Sequence, residues 1–143
     1  MSKFNVPEIL ESVFWVGVKD WNRRVFDALI PLPKGTTYNA YLVKGKTKTV
    51  LIDTVNPGFK GELEAKIRQV TNPAEVDYII MNHAEPDHAG GIPHMMNLSG
   101  KAKLVTTSKG AEAAQIYYGV PEGRIEVVAD SSTLDLGGKT QVH

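Results

Sequence analysis

The segment Asn82-His83-Ala84-Glu85-Pro86-Asp87-His88-Ala89-Gly90-Gly91 packs four residues able to ligate a metal, His83, Glu85, Asp87 and His88, into six positions. In extended backbone, residues two apart point to the same side, so His83 and Glu85 can converge. Pro86 then redirects the chain and carries Asp87 and His88 to a second point. Each point receives one imidazole and one carboxylate, which suits two adjacent ions about 3.5–4 Å apart, their other positions left to residues elsewhere and to substrate. The chain contains no cysteine, so thiolate metal sites, iron–sulfur clusters, cysteine nucleophiles and disulfides are excluded. Two imidazoles and two carboxylates suit iron or manganese at least as well as zinc. The bland alternative is a polar, proline-containing loop of solvated charges. The density of ligand types directly after an apolar run argues against it.

The elements around this loop must position it. Val76 to Met81, just before it, is a near-continuous apolar run, expected to be a strand covered on both faces. Upstream, Val13 to Val18 reads as a strand, and Tyr38 to Val43 with Thr49 to Asp53 reads as a hairpin turning at Lys44-Gly45-Lys46. The proline-punctuated stretch from Asp20 to Gly35 reads as loop. Asn56-Pro57 is a cap followed by a first-turn proline. Phe59, Leu63, Ile67 and Val70 recur at helical spacing, which predicts a helix over Gly61 to Val70. Gly90-Gly91 allows close backbone packing behind the loop and the start of another helix. Downstream, Lys103 to Thr107 reads as a strand, Ser108 as the cap of a helix ending near Gly119, and Arg124 to Val128 as a strand. Leu134 to Val142 has the alternation and glycine pair of a hairpin whose second strand has barely begun, so the chain is expected to be a piece of a larger domain.

With 143 residues and 15.7 kDa there is room for one modest core. A composition of 42% hydrophobic and 22% charged residues excludes collagen-like, coiled-coil and disordered classes. Sixteen basic residues balance sixteen acidic ones, so there is no net field to draw the chain to nucleic acid or to an anionic membrane. The N-terminal stretch Met1 to Glu8 lacks a basic patch followed by an apolar run, and no run approaches the length of a membrane span. The expectation is a soluble, cytoplasmic protein.

His83-x-Glu85-x-Asp87-His88 resembles the metal motif of the metallo-β-lactamase fold, in the variant where glutamate replaces the second histidine of the hydrolases. That variant marks the flavodiiron proteins. Asp20-Trp21, Arg24-x-Phe26-Asp27, the segment from Gly35 to Leu42, and Leu51-Ile52-Asp53-Thr54 are also similar to that family's N-terminal segment, in register over nearly the whole chain. The resemblance implies an α/β (α+β) fold, a four-layer αβ/βα sandwich. Residues 1–143 would be its N-terminal portion, with the rest of the domain and a C-terminal flavodoxin-like FMN domain absent. It implies an oxidoreductase whose two iron ions reduce dioxygen to water, nitric oxide to nitrous oxide, or both, with electrons from FMN. Rubredoxin, or a flavin or deazaflavin reductant, would be the donor, and a head-to-tail homodimer or tetramer the assembly. Residue by residue, His83 and Glu85 would ligate the first iron, and Asp87 and His88 would lie at the second. Asp53, ending its strand, is either an acceptor for a ligand imidazole N–H or the cap of a turn.

The family's two further histidines and bridging aspartate lie further along the chain. His143 falls just ahead of the next histidine segment and is read as a non-ligand. A segment with four ligands for two metals is expected to bind iron incompletely by itself. His94 is read as a surface or packing residue with nothing to pair it, and Met95, Met96, Tyr117 and Tyr118 as core and interface packing. Trp15 and Trp21 are read as apolar bodies covering a sheet edge or an interface. Asp130 and Asp135 are read as turn residues, and Arg23, Arg24 and Lys34 as solvated charges. Two rival readings remain: a zinc hydrolase of the same fold, against which Glu85 argues, and an inactive fragment with a vestigial loop.

Overall fold

A computed structural model describes residues 4–143. The first three residues of the N-terminal stretch read above for a targeting signal lie outside the described residues. A row of apolar side chains organises the molecule. Phe14, Leu42, Leu51, Ile79, Leu104 and Ile125 stand directly opposite one another on successive strands. All six face the main core, four of them fully buried and Phe14 and Ile125 packed at its ends. The strands carrying them are β2 (Val13–Trp15), β7 (Tyr41–Lys44), β8 (Thr49–Ile52), β9 (Tyr78–Ile80), β10 (Lys103–Thr106) and β11 (Ile125–Val127), with β1 (Glu8–Leu10) at the outer edge. The sheet order is β1-β2-β7-β8-β9-β10-β11. Pairing is antiparallel from β1 to β8 and parallel from β8 to β11.

Parallel pairing demands crossovers, and helices supply them. Helix α1 (Lys60–Val70) follows β8, α2 (Pro86–Ala89) and α3 (Ile92–Leu98) follow β9, and α4 (Ser108–Tyr118) follows β10. Asn56 accepts the Gly58 N–H ahead of α1, with Pro57 opening the turn. Leu63 and Ile67 of α1, Ile92, Met95 and Met96 of α3, and Ala114 of α4 close over the apolar row. The opposite sheet face carries Val43, Val50, Ile52, Tyr78 and Ile80. It is met by a hairpin of β12 (Leu134–Asp135) and β13 (Gln141–Val142), whose Leu136 is fully buried there. One helix layer, one mixed sheet and the start of a third layer are therefore in place.

Several expectations need correction. Val13 to Val18 is not one strand: it divides into β2 and β3 (Val18–Asp20), which pairs with β6 (Thr36–Tyr38) in a separate ribbon. The break is at Gly17, where a Cβ would lie 2.3 Å from the Tyr38 carbonyl oxygen. The 20–35 stretch holds a small hairpin, β4 (Val25–Phe26) with β5 (Ile30–Pro31), turned by Asp27 and Ala28 at φ 49° and 57°. Strand β9 is sealed on its helix side at Ile79, but Tyr78 and Ile80 on the other side are only half-buried. The cap of α4 is Thr107, not Ser108, its hydroxyl accepting the Gly110 N–H. Trp21 and Tyr117 are exposed in the single chain, so neither packs into its core.

Candidate metal centre

The His83–His88 loop leaves the C-terminal end of β9, the usual position for a site in an open parallel sheet. Its entry is fixed from both neighbouring strands. From β10, Val105 O accepts the Met81 N–H and Thr106 Oγ1 donates to Met81 O at 2.9 Å. From β8, Asp53 turns into the left-handed region at φ 52°. Its carboxylate then accepts the Asn82 N–H at 2.8 Å and the Asn82 amide at 3.2 Å. In this structure Asp53 therefore meets the residue before His83 and no imidazole.

After Glu85, in extended backbone, Pro86 opens the single turn α2, where proline's missing N–H costs nothing. The exit is clamped by Thr54, fully buried, whose N–H and hydroxyl both donate to His88 O while its Oγ1 accepts the Gly91 N–H. Gly90 fits because it lacks a side chain: a Cβ there would lie 2.4 Å from both Pro57 Cδ and Pro86 O.

The four candidate ligands form two imidazole–carboxylate pairs. His83 Nε2 stands 3.5 Å from Glu85 Oε2, and His88 Nε2 stands 3.5 Å from Asp87 Oδ2. The two rings meet edge-on with centroids 5.2 Å apart. The first pair is open, with side chains 55% and 59% exposed, while Asp87 is sheltered at 14%. Among the described residues, no three His, Asp or Glu side chains converge on one ion position. The donor set nevertheless fits a pair of hard or borderline cations, each with one nitrogen and one oxygen from this loop and further donors from elsewhere.

One tyrosine bonds to the loop and another to Arg23. Tyr118 donates to Ala84 O at 2.5 Å, and its hydroxyl is pushed up by burial, with the charges of Asp87 and Glu85 adding to the effect. Tyr38, stacked at a tilt on Phe59, donates to Asp20 at 2.9 Å and accepts from Arg23. Burial pushes the Tyr38 hydroxyl up as well. Arg23 is raised by its hydrogen bond to Tyr38 foremost and, among lesser causes, by the charge on Asp87, so its guanidinium belongs to the loop's electrostatic surroundings.

Sequence reasoning missed Thr54, Tyr118 and Arg23. Tyr118 lies 34 residues from its partner, a separation at which one sequence carries no signal. His94 is paired after all: its Nε2 meets Glu64 Oε2 at 2.7 Å, joining α3 to α1. His143 Nδ1 meets Thr133 Oγ1 at 3.0 Å. No helix among the described residues is long and apolar enough to cross a membrane.

The comparisons with known proteins agree with this architecture. The model of the family described as "ODP family beta lactamase" matches residues 36–143. The rubredoxin-oxygen oxidoreductase of Megalodesulfovibrio gigas is 39% identical over 133 residues, 93% of this chain and 33% of that protein. The nitric oxide reductase of Moorella thermoacetica is 37% identical, over 92% of this chain and 33% of that protein. Among solved structures, the flavodiiron protein of Giardia intestinalis superposes with a TM-score of 0.88 at 30% identity, covering 96% of this chain and 33% of that one. The chain thus spans about a third of the length of the curated relatives it matches. It belongs to the ODP family of the metallo-β-lactamase-like fold, and its homologues are flavodiiron oxidoreductases.

Proposed function

We propose that this chain is the metal-binding N-terminal part of a flavodiiron enzyme that reduces dioxygen to water, nitric oxide to nitrous oxide, or both. The observation that carries the reading is the double imidazole–carboxylate pair at the end of a parallel strand, with glutamate as the second ligand type. His83 and Glu85 hold one iron, and Asp87 and His88 lie at the other. When bound, two adjacent irons supply the paired redox chemistry that a diatomic substrate needs. The chain's own residues supply geometry: Asp53 and Thr54 fix the loop's ends, and Pro86 turns the second pair away from the first. The rest of the domain and a flavodoxin-like FMN domain follow residue 143 and deliver the missing ligands and electrons. The rubredoxin-oxygen oxidoreductase and the nitric oxide reductase among its relatives support oxygen or nitric oxide as substrate and rubredoxin as a donor class. A cytoplasmic head-to-tail homodimer completes the proposal.

The test is anaerobic reconstitution of the full-length protein with ferrous iron, followed by metal stoichiometry and by consumption of dioxygen and nitric oxide. Two irons per chain with reductase activity are expected. Tight zinc with hydrolysis of an ester, thioester or lactam and no reductase activity would overturn the reading in favour of a hydrolase.

A further inference from the structure

Residues 83–85 span a gap between two anchored points. Asp53 holds Asn82 on one side, and Thr54 holds His88 on the other. The Glu85 carbonyl is used within the loop, accepting the N–H groups of His88 and Ala89. Among the described residues, one hydrogen bond reaches residues 83–85 from outside the loop, from the Tyr118 hydroxyl to the Ala84 carbonyl. Tyr118 is the last residue of α4, and its ring packs with Ala84 against the helix-side core. Ala84 is the residue that separates His83 from Glu85, so rotation of its peptide would swing both side chains together.

We propose that Tyr118 is the positioning residue for the His83–Glu85 half of the metal centre, an inference that rests on the metal-binding reading of this loop. Its hydroxyl grips the backbone between the two ligands and sets the angle at which imidazole and carboxylate face a common ion. It touches no ligand atom and takes no part in chemistry. The Asp87–His88 half has its own clamp in Thr54, so the effect of Tyr118 is confined to one of the two ions. Residues that orient metal ligands from behind typically govern about 10–100-fold in metal affinity.

The test uses the full-length protein with cobalt(II) as the probe, read by its visible spectrum and by competition with a chelator. Tyr118→Phe keeps the ring and removes one hydroxyl, and Tyr117→Phe, on the exposed side of the same helix, is the control. In Tyr118→Phe, one of the two cobalt ions is expected to bind about tenfold more weakly, with altered visible bands. The control and the metal-free melting temperatures should stay close to wild type. Unchanged affinity and spectrum in Tyr118→Phe, with wild type holding two ions, would overturn the positioning role alone. So would loss of both ions in proportion to a lowered metal-free melting temperature. A wild-type protein that takes up no metal would overturn both this inference and the functional reading beneath it.

Discussion

Asp53 sits in left-handed backbone, which costs an L-residue roughly 1–2 kcal/mol. Its two hydrogen bonds to Asn82 offset that cost and tie the end of β8 to the start of the ligand loop. Asp53→Ala should therefore keep the strain and lose the compensation, lowering stability by about 1–3 kcal/mol in urea denaturation. Asp53→Asn tolerates the same backbone and keeps one acceptor, so it should lose less. Gly90→Ala acts by crowding. With Pro57 and Pro86 both 2.4 Å from the new methyl position, the expected loss is about 1–3 kcal/mol, because neither proline can move without shifting the loop or the start of α1. Thermal melts of the metal-free protein would measure it.

At the scale of elements, Asp77 fastens the entry ends of three strands. Its Oδ2 accepts the N–H of Thr49, the first residue of β8, at 2.8 Å, its Oδ1 accepts Lys101 Nζ at 2.8 Å ahead of β10, and its own backbone leads into β9. Burial by itself would raise its carboxyl, but Lys101 and the Thr49 N–H together outweigh burial and hold it below the usual carboxylate range. Because the folded value is depressed, the stabilisation is fully present above the unfolded value of about 3.9 and is lost as pH falls through the lower folded value. Asp77→Asn should thus be destabilised at pH 7 and differ less from wild type near pH 3, as urea midpoints at both pH values would report. None of this was visible in the sequence, where Asp77 merely interrupts an apolar run. What was legible was periodic or locally capped. Leu63 and Ile67 announced α1, the Lys44-Gly45-Lys46 turn joined β7 to β8, and His83 to His88 announced the loop. What was not legible depended on distant partners: the division of Val13 to Val18, forced by Tyr38, and the exposure of Tyr117 beside a half-buried Tyr118.

At the scale of the whole molecule, the sheet is finished on one face only. The helix side is sealed over its centre, while Ile52, Tyr78 and Ile80 are half-buried on the other side. If the proposed remainder of the domain covers this face, residues 1–143 alone should bind an environment-sensitive apolar dye strongly and the longer protein weakly. Equal dye binding by both would count against that coverage. The strand order β1-β2-β7-β8-β9-β10-β11 has another meaning when the chain is considered in time. Each strand of the large sheet after β1 lies beside one that precedes it in the chain, so a polypeptide emerging from the ribosome finds its docking edge already built. His83 to His88 come out to find Asp53 and Thr54 already in place, gain Thr106 as a lateral support, and are gripped by Tyr118 only after 34 residues have followed Ala84. The loop that carries the four candidate ligands thus takes its shape by vectorial growth, complete in its supports once Tyr118 has been made.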